Sequence, residues 1–177
     1  MRIISGKYKG KRLLAPKKLP IRPTTDMAKE ALFNILNNSF HFHGLEVLDL
    51  CAGMGTISFE FASRGANAIV CVDVNAGCIK YINQVKNELN IPITTIKSDV
   101  IGYLSKTTQK FDIVFADPPY DMDMDKFNTI VELVFSQQLL NDDGVLIIEH
   151  SKHTDLSHHA QFTIARRYGG SVFSFFE

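Results

Sequence analysis

Asp117-Pro118-Pro119-Tyr120 follows the apolar run Phe111-Asp112-Ile113-Val114-Phe115-Ala116, and this order of residue types suits the gripping of an exocyclic amine. A carboxylate, two prolines and an aromatic ring at the open end of a buried strand put hydrogen-bond acceptors and a stacking face on stiff backbone. Proline fixes its own φ and carries no N–H, and Pro118 pushes Asp117 toward an extended conformation. The Asp117 carboxylate and nearby backbone carbonyls can then converge on one amino group. A plain strand end followed by a proline turn uses the same residues, so the tetrapeptide needs an independent companion.

That companion lies upstream. Leu45-Glu46-Val47-Leu48-Asp49-Leu50 reads as a strand, Cys51-Ala52-Gly53-Met54-Gly55 as a glycine loop, and Thr56 to Arg64 as a helix. A strand, a glycine loop and a helix form a nucleotide-binding entrance in which glycine lets the backbone approach a ligand. A dinucleotide fingerprint would carry glycine or alanine at Ser58. Asp49 ahead of the loop instead gives D-x-x-x-G-x-G, which suits a ligand with an ammonium group better than one with a pyrophosphate, a description that fits S-adenosylmethionine. Asp73 closes the second strand 20 residues beyond Gly53, the place from which a carboxylate reaches ribose hydroxyls; a helix cap at that turn is the competing role. Asp99, in Lys97-Ser98-Asp99, is placed to meet an adenine amino group or to cap the next helix. The cofactor set is therefore Asp49, Ala52, Gly53, Gly55, Asp73 and Asp99, with Asp117 shared between cofactor and substrate.

These residues need a scaffold. After Gly44, short apolar runs near Leu45 to Leu50, Ala68 to Asp73, Ile93 to Lys97, Phe111 to Ala116 and Val145 to Glu149 alternate with amphipathic stretches. Such alternation marks βαβ units and a largely parallel sheet in an α/β fold. Gln161 to Arg166 and Ser171 to Phe176 are also strand-like and flank Tyr168-Gly169-Gly170, a hairpin signal, so the sheet should finish in an antiparallel pair. Upstream, Thr25 or Asp26 can cap a helix from about Met27 to Asn37, where Ala28, Ala31, Leu32, Ile35 and Leu36 recur at helical spacing. Arg2 to Gly6 and Gly10 to Leu14 read as two short strands about a basic turn.

With 177 residues, 45% of them hydrophobic, one domain with a sizeable core is the economical arrangement: a basic extension over residues 1–25 and a core over 26–177. Net charge is +0, but eight of the 19 Lys and Arg lie between Met1 and Thr25, where there is no Asp or Glu, leaving 11 basic against 19 acidic groups beyond. A cationic arm on an acidic body, with lysines interleaved with Tyr8 and glycines, suits a phosphate backbone without sequence readout. Cys51, Cys71 and Cys78 form no C-x-x-C pair and are expected to be reduced thiols in a cytoplasmic protein. No signal-peptide h-region or membrane-length apolar run is present.

Several groups carry less. His150, His153, His158 and His159 are expected in a polar loop after the fifth strand, because carboxylate or cysteine ligands at metal spacing are missing. His41 and His43 flank Phe42 in a connector. Phe173, Phe175 and Phe176 fit the core of the last strand, and Cys51 fits a small buried residue.

The chain resembles the bacterial 16S ribosomal RNA guanine-N2 methyltransferases of the RsmD type along nearly its whole length. The resemblance runs through Arg2 to Leu13, Arg22-Pro23-Thr24-Thr25-Asp26, Glu30 to Leu36, Asp49 to Gly55, Ser63-Arg64-Gly65-Ala66, Asp117-Pro118-Pro119-Tyr120 and Tyr168-Gly169. Arg22 to Asp26 is its specific part; the glycine loop and the Asp117 motif are shared with many methyltransferases. The resemblance implies a Rossmann-like class I methyltransferase fold, with a seven-stranded sheet and a basic N-terminal hairpin. It also implies S-adenosylmethionine as methyl donor, and a monomer acting on 16S rRNA within the small ribosomal subunit, without metal or membrane. Asp117, Pro118, Pro119 and Tyr120 would be catalytic, and Lys7, Lys9, Lys11, Arg12 and Arg22 would meet RNA. Cys51 and Met54 stand where relatives usually carry phenylalanine and serine. Met27 replaces a common arginine, leaving Arg22 and Lys29 as nearby cations. Competing activities are methylation of adenine N6 or of a protein glutamine, a non-catalytic RNA-binding module, and a nicotinamide dehydrogenase.

Overall fold

The computed structural model describes residues 1–14 and 25–177. In chain order the elements are α1 (Asp26–Leu36), β1 (Glu46–Leu50), α2 (Thr56–Arg64), β2 (Ala68–Asp73), α3 (Ala76–Leu89), β3 (Ile93–Lys97), α4 (Val100–Leu104), β4 (Phe111–Ala116), α5 (Met124–Ser136), β5 (Leu140–Ser151), β6 (Phe162–Tyr168) and β7 (Ser171–Phe176).

The seven strands form one sheet in the order β3-β2-β1-β4-β5-β7-β6. β1 to β5 pair in parallel, whereas β7 runs antiparallel to both β5 and β6. The expected closing hairpin is therefore present, with its second strand inserted between β5 and β6. Strand β1 sits between β2 and β4, so the direction of winding reverses there, and a crevice opens at the carboxyl ends of these strands.

Alternation along each strand feeds two cores. Val47, Ile69, Ile113, Phe115, Ile147, Phe173 and Phe175 pack toward α1, α2 and α3. Leu48, Val70, Val114, Leu146, Ile148 and Phe176 pack toward α4 and α5. Strands covered on both faces read as near-continuous apolar runs, which is why they are visible in the sequence. Thr25 caps α1 by accepting the Ala28 N–H at 3.1 Å.

Strand β5 begins five residues ahead of the expected Val145. Leu140 pairs with Phe111, and a register shift follows between Phe111 and Ile113. Asn141, Asp142 and Asp143 hid that start, because polar residues and a left-handed Asp143 (φ 62°) resemble a turn. The strand also continues through His150, which is buried rather than in a polar loop; its Nε2 lies 2.7 Å from Ser174 Oγ on β7. His158 and His159 do follow the strand, and both rings approach Asn128 Oδ1.

Among the described residues one isolated antiparallel bridge, Arg2 with Arg12, represents the two expected N-terminal strands. Their backbones are nonetheless laced by Ile3 N–H to the Lys11 carbonyl at 3.0 Å and Leu13 N–H to the Met1 carbonyl at 3.0 Å. Ile3 and Leu13 are buried in the larger core. The rest of the arm sits on α2: Ile4 and Ser5 donate to the Glu60 carboxylate at 2.7 and 3.0 Å, and Tyr8 N–H donates to Ser63 Oγ at 2.9 Å. At Gly6 (φ +82°) a Cβ would come within 1.9 Å of the Ser63 carbonyl oxygen, so no other residue fits this seat.

Candidate active site

A cleft of about 660 Å³ opens at the carboxyl ends of β1, β2, β4 and β5 and is lined from both motifs. Asp49, Cys51, Ala52, Gly53, Asp73 and Asp99 wall one part; Asp117, Pro118, Pro119 and Tyr120 wall the other, joined by Glu149 and Ser171. The sheet thus brings together the two sequence features separated by more than 60 residues.

The glycine loop turns through left-handed conformations at Cys51 (φ 59°), Gly53 (φ 54°) and Gly55 (φ 70°). A non-glycine residue in this region carries backbone strain, and Cys51 bears it at the cleft wall. Ala52 N–H donates to the Val72 carbonyl at 3.0 Å, and Gly55 N–H donates to the Ala52 carbonyl at 2.7 Å. Gly53 N–H donates to Asp73 Oδ2 at 2.8 Å. Gly55 lies behind the cleft wall as the left-handed N-cap of α2, where a Cβ would meet Ile82 and Phe59 at 3.1 and 3.2 Å. Its service is to the turn.

Asp73 is not the cap of the following helix. Asn75 caps α3 by accepting from Gly77 and Cys78, while Asp73 Oδ1 accepts the Asn75 N–H at 2.7 Å. Each Asp73 oxygen thus takes one backbone N–H and keeps a lone pair, which leaves the carboxylate able to receive ribose hydroxyls. Asp99 does cap: its Oδ1 accepts the Gly102 N–H at 2.8 Å at the start of α4. It remains part of the cleft wall, so the two roles weighed for it are compatible.

Asp49 is 1% exposed and accepts the Ser58 hydroxyl at 2.6 Å, while Cys71 Sγ donates to Ser58 Oγ at 2.9 Å. This chain explains the serine that departs from the dinucleotide pattern. Burial pushes the Asp49 carboxyl up to about 7; the Ser58 hydrogen bonds oppose the rise, and the charge of Asp73 adds to it. A cation bound nearby would offset that burial cost. Burial also drives the Cys51 thiol far above its ordinary range, reinforced by Asp117, Asp73 and Asp49, which makes it an inert wall residue.

Asp117 N–H donates to the Leu50 carbonyl at 3.2 Å, extending the β1–β4 ladder by one residue. Met122 N–H donates to the Pro119 carbonyl at 2.9 Å and closes the turn after it. Tyr120 Oη lies 3.3 Å from Glu149 Oε1 and 3.1 Å from Ser171 Oγ. Glu149 and Ser171 were missed by sequence reasoning. The signal was available for Glu149, since it ends an apolar run as Asp73 and Asp117 do.

On the arm, Lys7, Lys9 and Arg12 are exposed, and Lys7 Nζ lies 5.1 Å from the Tyr8 ring centroid. Lys11 pairs with Glu88 at 2.5 Å, so its charge is already partly answered. Arg22 lies outside the described residues. Lys29 corrects an expectation: it is fully buried, with Nζ 2.5 Å from the Arg2 carbonyl oxygen and 3.7 Å from Glu60 Oε2. Burial lowers its pKa against the pull of Glu60 and Asp26. It secures the arm and is unavailable to RNA. Among the described residues no helix is long and apolar enough to cross a membrane.

Comparison with known proteins agrees with this architecture. A candidate rRNA methyltransferase, YlbH of Bacillus subtilis (strain 168), is 34% identical over 164 residues, covering 88% of this chain and 85% of YlbH. Ribosomal RNA small subunit methyltransferase D of Buchnera aphidicola subsp. Baizongia pistaciae is 29% identical over 150 residues, covering 84% and 75%. Among solved structures, hypothetical protein TTHA0928 of Thermus thermophilus superposes with a TM-score of 0.86 at 24% identity, covering 100% of this chain and 99% of that one. The magnesium protoporphyrin IX methyltransferase of Synechocystis PCC 6803, solved with bound S-adenosylmethionine, shares the fold at a TM-score of 0.65 and 19% identity, covering 83% and 76%. The family model described as Conserved hypothetical protein 95 matches residues 1–177, and the chain therefore belongs to this family, that of the RsmD-type methyltransferases.

Proposed function

We propose that this protein transfers the methyl group of S-adenosylmethionine to the exocyclic N2 of a guanine in 16S rRNA. The observation that carries this reading is the meeting of the Asp49–Gly53–Asp73 loop and the Asp117-Pro118-Pro119-Tyr120 corner in one cleft. Support for the substrate class comes from relatives named for small-subunit rRNA methylation, and support for the donor from a neighbour of the same fold that binds it.

The residues fit that donor. The Asp49 carboxylate suits its ammonium, Gly53 lets the backbone come close, Asp73 keeps lone pairs for its ribose, and Asp99 stands at the wall for its adenine. When bound, the donor supplies an electrophilic methyl on a sulfonium. The chain's own task is to prepare the nucleophile. The N2 lone pair of guanine is delocalised into the ring, so the amine must be held and bent. Asp117 and the Pro118 carbonyl accept its two N–H bonds and turn the lone pair toward the methyl. The Asp117 carboxylate takes up the proton that the nitrogen releases on methylation. Tyr120 offers its ring to the base. Because methyl transfer consumes the sulfonium charge, alignment and exclusion of water matter more than a strong base. The base must leave its stack to enter the cleft, at a cost of a few kcal/mol that is smaller in loops.

The test is radiolabelled methyl transfer onto small ribosomal subunits from a strain lacking the enzyme, followed by mapping of the nucleotide. Asp117→Ala is expected to abolish transfer while S-adenosylmethionine affinity stays near that of the wild type, because in this reading Asp49, Gly53, Asp73 and Asp99 carry the donor's polar contacts. Full turnover by that variant, or label on an atom other than guanine N2, would overturn the reading.

A further inference from the structure

Glu149 follows the Ala116–Ile148 pair of the parallel β4–β5 ladder, so it stands beside Asp117 on the next strand, two residues before that strand ends at Ser151. Phe115 and Ile147 point into the larger core, and with a period of two residues Asp117 and Glu149 lie on that same face. Glu149 is 3% exposed yet forms part of the cleft wall. Its Oε1 lies 3.3 Å from the Tyr120 hydroxyl, which is itself 3.1 Å from Ser171 Oγ on β7. A carboxylate at the substrate end of the cleft, oriented by the hydroxyl of the aromatic residue in the Asp117 motif, has no part in the transfer step described above.

We propose that Glu149 is the residue that selects guanine: its carboxylate accepts the N1–H of the base while Asp117 and the Pro118 carbonyl hold the N2 amine. This inference rests on the guanine-N2 reading. Guanine presents N1–H beside its amine, two donors in a row, whereas adenine presents a bare lone pair at N1. A charge-assisted N–H···O⁻ bond is stronger than a neutral one. A carboxylate set against a lone pair in a site shielded from water gains no bond and loses its hydration. A site built around a substrate N–H rejects the analogue lacking it far more strongly than pocket shape does. Tyr120 then serves twice, with its ring toward the base and its hydroxyl on Glu149, and Ser171 gives the inserted strand β7 a share in the site.

The test uses small subunits reconstituted with 16S rRNA that carries either guanine or 2-aminopurine at the modified nucleotide. 2-Aminopurine keeps the amine at C2 but has a bare N1. The wild type is expected to favour guanine by at least about 100-fold in methyl-transfer rate. In Glu149→Gln the side-chain amide can donate to N1, and the preference should shrink to about tenfold or less, with 2-aminopurine methylated faster than by the wild type. Glu149→Asp keeps the charge but withdraws it by one methylene, and should slow guanine while leaving 2-aminopurine unchanged. The ratio of the two rates does not depend on how much of a preparation is folded. A preference unchanged in both variants, or absent from the wild type, while guanine N2 is still methylated, would overturn the role of Glu149 alone. Label on another atom of the natural substrate would remove the guanine reading and this inference with it.

Discussion

Asp73 on β2 holds the amide of Gly53 at 2.8 Å, so the carboxylate proposed to meet the donor's ribose also sets the shape of the glycine loop. Removing it therefore acts twice. Asp73→Ala is expected to weaken S-adenosylmethionine binding about 10- to 100-fold, the loss of one or two hydrogen bonds to a charged group. Calorimetric titration measures this, and an unchanged dissociation constant would refute it.

Asp49 introduces a dependence on pH. Its carboxyl lies at about 7 against an ordinary 3.8, so the folded chain keeps a proton that the unfolded chain releases at lower pH. Its contribution to folding therefore falls as pH rises from about 4 to about 7 and stays low above that. Asp49→Asn should match the wild type near pH 4 and exceed it at pH 8, by up to about 4 kcal/mol, in urea unfolding at the two values. Donor binding should show the opposite trend. The ionised carboxylate suits an ammonium, so affinity of the wild type should rise between pH 5.5 and 7.5, and Asp49→Asn should flatten that rise.

Glu60 joins Lys29, Arg64 and the backbone of Ile4 and Ser5 in one buried cluster. Glu60→Ala leaves the Lys29 ammonium buried without its counter-charge, and about 3–5 kcal/mol of stability should be lost. Chemical unfolding gives the magnitude. Limited trypsin digestion should then cut early at Lys7 and Lys9, and an arm as resistant as in the wild type would show that Glu60 does not hold it.

Among the described residues, Lys9 and Arg12 are exposed arm cations whose charge is open to a phosphate backbone. Replacing both by glutamine should lower the slope of log affinity against log salt by roughly 1.4 to 1.8 for 16S rRNA. Lys11→Gln should have a smaller effect, because Glu88 already faces that ammonium at 2.5 Å. Equal effects at Lys9, Lys11 and Arg12 would argue that the pair opens on binding.

The acids at the cleft were legible where a charge interrupts an apolar run. Asp49, Asp73 and Asp117 each stand within one residue of the end of a strand covered on both faces, and a carboxylate there has to serve the strand ends or a ligand. Glu149 follows the same rule but was obscured by His150 and Ser151, whose polarity resembles the start of a loop. His150 is accommodated in the strand by Ser174 on β7, a partner that only the sheet order supplies. Lys29 was obscured for a related reason. Next to Ala28 it reads as a solvent-facing cation of α1, and its burial depends on Glu60 of α2. Strand identity is written locally, while the burial of a charge is decided by whatever arrives from elsewhere in the chain.

The seat of the N-terminal arm has a consequence for biosynthesis. Tyr8 Oη donates to the carbonyl of Leu89, 81 residues later, and Glu60 and Ser63 receive Ile4, Ser5 and Tyr8. The seat therefore cannot be completed until Leu89 has been made, roughly 4 to 16 s of translation after Tyr8. During that interval Lys7, Lys9 and Arg12 stay on a segment whose last tether is missing, and completion of α3 sets the earliest moment at which the arm can be fully seated.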